Sequence, residues 1–181
     1  MMTQELIIAG FGGQGVMSMG QLLAYAAMLE GKKVTFLPSY GPEMRGGTAN
    51  CTVVISDEAV GSPVISDPST LIAMNLPSLD RFELTVRPGG FIVVNSSLIE
   101  RKVQRDDVTS VRVPANDIAQ ELGNLRVANM VALGAYLGKS KAVGFDAIIE
   151  SLKKALPARR HDLIPLNRQA LERGAALVEQ A

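Results

Sequence analysis

The reading turns on residues 5 to 37: Glu5-Leu-Ile-Ile-Ala9, then Gly10-Phe-Gly-Gly-Gln-Gly15, then Val16 to Glu30, Gly31, and Lys33-Val-Thr-Phe-Leu37. The first run is apolar and of strand length, and the glycine-rich segment ends it. Val16 to Glu30 carries apolar residues on nearly every face, which predicts a helix buried under other layers. Gly31 stops that helix, because glycine takes the left-handed backbone without a Cβ penalty. Lys33 to Leu37 is rich in β-forming side chains and predicts a second strand. Strand, turn, helix and strand in that order read as the start of a parallel sheet.

Outward from this unit, Pro38 to Asn50 reads as a glycine- and proline-rich loop, followed by a strand at Cys51 to Ile55. Val60-Gly-Ser-Pro63 turns the chain. A short strand is expected at Thr70 to Asn75, a helix at Leu79 to Val86 ended by Pro88-Gly-Gly90, and strands at Phe91 to Asn95 and Val108 to Val113. From Asn116 onward the texture becomes helical: Asp117 to Leu122, Val127 to Leu137, Phe145 to Leu156, and Leu166 to Glu179. Residues 1–181 contain no repeat or linker and are expected to form one domain. The expected fold is α/β: a Rossmann-like three-layer sandwich with a mostly parallel sheet and a helical C-terminal part.

Composition removes several functions. Eighteen basic residues balance eighteen acidic ones, for a net charge of +0, so no partner held mainly by charge, such as nucleic acid or an anionic membrane, is expected. Aromatic residues are only 4% with no tryptophan, too few for a base-stacking platform. The single cysteine, Cys51, can neither pair within the chain nor build a thiolate cluster; at the start of a strand it reads as a small buried hydrophobe. Val16 to Leu29 is interrupted by Ser18, Gly20 and Gln21 and falls short of the ~20 residues of a spanning helix. With no basic segment leading into a long apolar run at the start, a cytoplasmic location is expected.

Gly10, Gly12 and Gly15 match G-x-G-x-x-G between a strand and a helix. Such glycines let a turn tighten and a phosphate approach free backbone amides at a positive helix end. The same pattern also serves merely to pack strand on helix. Against a nicotinamide cofactor stands the missing acid: the second strand runs into Phe36-Leu-Pro-Ser-Tyr40, Glu30 precedes it and Glu43 lies beyond. A GKS or GKT phosphate loop is also missing.

Ser39-Tyr-Gly-Pro-Glu-Met-Arg-Gly-Gly-Thr-Ala-Asn-Cys51 is the second informative segment. Gly41-Pro42 and Gly46-Gly47 allow sharp turns around Glu43 and Arg45. That pair either staples the loop or serves a ligand or partner at the carboxyl edge of the sheet, where open α/β folds bind.

IIAGFGGQGV, LPSYGPEMRGGTANC, NMVALGAYLG and LNRQALERG together resemble the gamma subunit of 2-oxoacid:ferredoxin oxidoreductases, over essentially the whole chain. The middle segment is closer to the 2-oxoglutarate branch than to the pyruvate branch. The resemblance implies oxidative decarboxylation of a 2-oxoacid to an acyl-coenzyme A with reduction of ferredoxin. It places thiamine pyrophosphate, magnesium and iron–sulfur clusters in alpha, beta and ferredoxin-like delta partner subunits, with none held by this chain alone. It implicates the gamma part in binding coenzyme A. Carried to this sequence, the implied contacts are Gly12, Gly13, Gln14, Gly15, Tyr40, Gly41, Glu43, Arg45, Gly46 and Gly47, with no catalytic residue.

The residues agree on what this chain lacks: no thiamine-diphosphate signature and no acidic metal cage. His161 reads as a solvated histidine at a helix junction. Asn129, the polar residue near the start of the VANMVALGAYLG helix, reads as a cap or a bond across an interface, and the small residues around it as close helix packing. Two other functions fit parts of the sequence, a free-standing NAD-dependent oxidoreductase and a non-catalytic nucleotide- or acyl-carrier-binding module.

Overall fold

The structure, a computed structural model, describes residues 2–39 and 48–179. Among them one six-stranded sheet is built around β1 (Thr3–Phe11). Leu6, Ile7, Ile8 and Ala9 are buried on both faces of that strand, so a continuous apolar run lies in mid-sheet, where both faces are covered. On one side β1 pairs in parallel with β4 (Thr70–Ala73), which continues in parallel to β5 (Phe91–Asn95) and β6 (Thr109–Val113). On its other side lies β3 (Thr48–Ser56), antiparallel over the whole length of β1, and beyond it β2 (Lys33–Ser39), antiparallel to β3.

The sheet is therefore mostly parallel, with one correction to the expected opening unit. β1 and β2 point the same way, but β3 is inserted between them. A short connection from β2 to β3 can only reverse the chain, since a parallel return needs a crossover. Burial then assigns the places. β3 hides Cys51, Val53, Val54 and Ile55, whereas β2 is half-exposed and carries Lys33 and Pro38. A proline without an N–H suits an edge. The expected loop at 38–50 is correspondingly shorter, because β2 reaches Ser39 and β3 begins at Thr48.

Alternation along β1 divides the core in two. Leu6 and Ile8 join Val53, Ile55, Ile72 and Val93 on the face covered by α1 (Val16–Leu29) and the C-terminal helices. Ile7 and Ala9 join Leu71, Ile92 and Val94 under α2 (Leu76–Phe82) and the segment around Ile99. α2 begins earlier than expected because Asn75 caps it, its Oδ1 accepting the Ser78 N–H at 3.0 Å. The expected strand accordingly ends at Ala73. α1 is not buried all round: Ser18, Gln21, Tyr25 and Met28 form an exposed stripe, while Gly31 at φ +75° ends the helix as expected.

After β6 come α3 (Ala115–Glu121), α4 (Ala128–Ser140), α5 (Phe145–Ala155) and α6 (Ile164–Glu179). α4 is buried from Ala128 to Gly138, held between the sheet and α6. Glycine permits that approach. A Cβ on Gly134 would overlap the Leu171 carbonyl, and one on Gly174 would overlap Val131 O.

Candidate functional site

The glycine turn sits at the carboxyl end of β1, and its own side chain holds it closed. Gln14 Oε1 accepts the Phe11 N–H at 2.6 Å, its Nε2 donates to Met74 O at 3.2 Å, and Gln14 N bonds Phe11 O at 3.2 Å. Gly13 and Gly15 lie at φ +94° and +74°, where an L side chain is strained. The amides of Gly12, Gly13 and Gly15 have no acceptor among the described residues. Gly15 is also the N-cap of α1 and supplies no capping side chain, so the first-turn amides of that helix stay open too. Partial positive charge collects there.

Beside the turn opens a cleft of about 380 Å³, lined by Gly12, Gly13, Gly15, Val16, Met17, Ser18, Ser39 and Ala49. Ser39 ends β2 and Ala49 opposes Gly10 in the sheet. Both stems of the second loop thus stand at the rim occupied by the glycine turn. Tyr40, Gly41, Glu43, Arg45, Gly46 and Gly47 themselves lie outside the described residues.

A second, smaller cleft of about 100 Å³ lies on the other flank of the turn, lined by Gly13, Gln14, Met74, Asn116, Leu125, Arg126, Ala128 and Asn129. Its floor is rigid. Buried Asn95, at the end of β5, donates to Met74 O at 3.2 Å and to Asn116 Oδ1 at 2.9 Å, and accepts the Ala115 N–H at 3.3 Å. Asn129 closes the wall. Its Nδ2 donates to Gly15 O at 3.4 Å and its Oδ1 accepts the Met130 N–H at 2.9 Å. The expected cap role for Asn129 is corrected, because Val127 occupies the N-cap of α4. Asn129 lies inside the first turn and ties α4 to Gly15.

Of the expected contacts, Gly12, Gly13 and Gly15 line the larger cleft, while Gly13 and Gln14 line the smaller. Gln14 serves mainly to hold the turn, since both ends of its side chain are engaged. Asn95, Asn116 and Arg126 had no local signal, for the sheet brings them in from about a hundred residues away. The described end of β2 has no acid for a ribose. Glu30 is engaged elsewhere, accepting the Gly144 N–H at 2.6 Å and the Lys32 ammonium at 3.0 Å.

No group of three or more His, Cys, Asp or Glu among the described residues can hold a metal ion. Cys51 is fully buried, and desolvation pushes its thiol up to about 12, far from a thiolate ligand. One buried thiol does not offer the thiolates of an iron–sulfur cluster. His161 is exposed and faces the Lys153 and Leu156 carbonyls at 3.0 and 3.1 Å, at the end of α5. No helix of the described residues is long and apolar enough to cross a membrane.

Residues 5–177 match the family model for pyruvate ferredoxin/flavodoxin oxidoreductase. The ketoisovalerate oxidoreductase subunit VorA of Methanothermobacter marburgensis is 43% identical over 171 residues, which is 93% of this chain and 35% of that protein. The chain thus spans about a third of this relative's length. The 2-oxoglutarate synthase subunit KorC of the same organism is 37% identical over 86% of this chain and 88% of its own length.

Two solved structures share the fold. A keto/oxoacid ferredoxin oxidoreductase gamma subunit from Geobacter sulfurreducens superposes with a TM-score of 0.83 at 29% identity, covering 98% of this chain and 99% of that one. The 2-oxoglutarate:ferredoxin oxidoreductase of Magnetococcus marinus, solved with 2-oxoglutarate, coenzyme A and succinyl-CoA bound, gives 0.89 at 23% identity over 99% of this chain and 31% of its own. With its glycine-turn edge, its mixed six-stranded sheet and a match running nearly end to end, the chain belongs to the pyruvate ferredoxin/flavodoxin oxidoreductase family, as a gamma-subunit domain.

Proposed function

We propose that this chain works in a multi-subunit 2-oxoacid:ferredoxin oxidoreductase, as the component that receives coenzyme A at the glycine-turn edge. The carrying observation is the cleft at the uncapped start of α1. Three glycine amides and an open helix end stand beside a lining otherwise supplied by Val16, Met17, Ser18, Ser39 and Ala49. Such a surface suits a ligand with anionic phosphates and a long, weakly polar arm. A protein of this fold has been solved with coenzyme A bound, and that likeness supports the fold as a suitable host.

In the reaction, a 2-oxoacid loses carbon dioxide, its acyl carbon is oxidised by two electrons that pass to ferredoxin, and the coenzyme A thiol takes the acyl group as it loses its proton. Thiamine pyrophosphate with magnesium would supply the decarboxylation chemistry and iron–sulfur clusters would carry the electrons, and the family resemblance assigns both to alpha, beta and ferredoxin-like delta subunits. This chain contributes binding. Glycine amides hold anionic oxygens, the rim of β2 and β3 confines the arm, and the chain by itself has no turnover.

Ser18→Glu tests this reading in the assembled enzyme. Position 18 is the third residue of α1, where a carboxylate favours the helix end, so the melting temperature should hold or rise. The same charge in the cleft should raise the KM for coenzyme A about tenfold or more, with kcat changed little. An unaltered KM would remove coenzyme A from this cleft. For the oxoacid we propose 2-oxoglutarate, supported by the SYGPEMRGGTANC segment and the KorC likeness. Turnover of 2-oxoglutarate against ketoisovalerate decides, since the VorA relative has the higher identity.

A further inference from the structure

The smaller cleft has a polarity that the coenzyme A reading does not use. Each of its side-chain amide oxygens is already occupied: Gln14 Oε1 by Phe11 N–H, Asn116 Oδ1 by Asn95 Nδ2, and Asn129 Oδ1 by Met130 N–H. The Met74 carbonyl accepts twice, from Gln14 and Asn95. Donors are left over. The Asn116 amide nitrogen and the Arg126 guanidinium have no hydrogen-bond or ion-pair partner among the described residues, and Gly13 N–H is also open. No carboxylate among the described residues lines the cleft. A lining with unpaired donors and one cation, whose side-chain amide oxygens each already accept a bond, favours an anion. At about 100 Å³ the space takes several water-sized groups, enough for one phosphate.

We propose that this cleft is a phosphate subsite, with Arg126 as its cation, Asn116 and Gly13 as neutral donors, and Asn95 as the positioning residue that turns the Asn116 amine outward. Gly13 walls both clefts, so a single ligand can lay its arm on one side of the turn and a phosphate on the other. That the phosphate is carried by coenzyme A rests on the reading above; the anion selectivity does not.

The test uses the assembled enzyme with Arg126→Gln. Arg126 is exposed and its side chain supports no other group among the described residues, so the variant should fold. The readout is preference, the kcat/KM for coenzyme A divided by that for pantetheine, which lacks phosphate. Loss of one charge-assisted contact should lower it about ten- to a hundredfold, and inorganic pyrophosphate should compete with coenzyme A in the parent enzyme and weakly in the variant. A preference unchanged by the substitution overturns the subsite. Ser18→Glu separates the two claims: a loss with Ser18→Glu alone ends the subsite and keeps the larger cleft, and a loss with Arg126→Gln alone does the reverse.

Discussion

Glycine is used in opposite ways in two regions of this molecule. Between α4 and α6 it removes space: Gly134 and Gly174 let each backbone touch the other helix, and any Cβ would overlap a carbonyl. At the carboxyl edge of β1 it creates space: a Cβ on Gly13 would meet nothing within 4 Å. The second glycine is there for its φ of +94° and for what its bare amide can face. What a Cβ would strike separates Gly134 and Gly174 from Gly13, while Gly15, beside Asn129, combines a positive φ with close packing. The sequence pattern alone left both readings of the turn open.

The largest effect should come from closing the gap that the helices need. Gly174→Ala forces α6 away from Val131, and strain plus lost packing should cost about 3 kcal/mol, read as a lower urea midpoint. Wild-type stability would show that the helices can slide apart freely, and the contrast between the two regions would lose one side.

Next in size is a pair within the turn. Gly15→Ala carries two penalties, the φ of +74° and a Cβ within 2.7 Å of Asn129 Cγ. Gly13→Ala carries only the first. We expect about 2–3 kcal/mol for the former and about 1–2 for the latter. Gly13→Ala should nevertheless weaken coenzyme A binding at constant fold, measured by titration calorimetry of the assembled enzyme. Equal stability losses would mean that Asn129 yields, and that the tie between α4 and the turn is loose.

The smallest effect concerns Glu30, which joins the end of α1 to the start of α5. Burial alone would raise its pKa, but the Gly144 N–H and the Lys32 ammonium outweigh that, and the net direction is down. A carboxyl lower in the folded than in the unfolded chain stabilises fully above the ordinary carboxylate range. That contribution fades as pH falls through the lower, folded value. Glu30→Gln should therefore cost about 1 kcal/mol at pH 7 and progressively less as pH falls below the ordinary carboxylate range, by denaturant titration across that range.

Element types were largely legible. Apolar runs at Glu5 to Ala9 and Phe91 to Asn95, and the helical spacing in Phe145 to Leu156, report local preference, and local preference survives folding when the environment agrees with it. The position of β3 was not legible. Nothing within Cys51 to Ile55 says that it will pair with β1 and push β2 to the edge, since that choice compares the burial of two strands with a third. The proposed site divides the same way. Gly12, Gly13 and Gly15 announce themselves through a motif, while Asn95, Asn116 and Arg126 are ordinary residues until the sheet sets them beside that turn.

What the sequence by itself determined is the α/β character, the glycine turn between strand and helix, and the single cysteine. These follow from residue chemistry and short-range spacing. Only the tertiary structure decided that the turn has two flanks, one weakly polar and one rich in donors. That difference depends on which amide oxygens the fold consumes, and such accounting exists only after strands distant in sequence have been placed side by side.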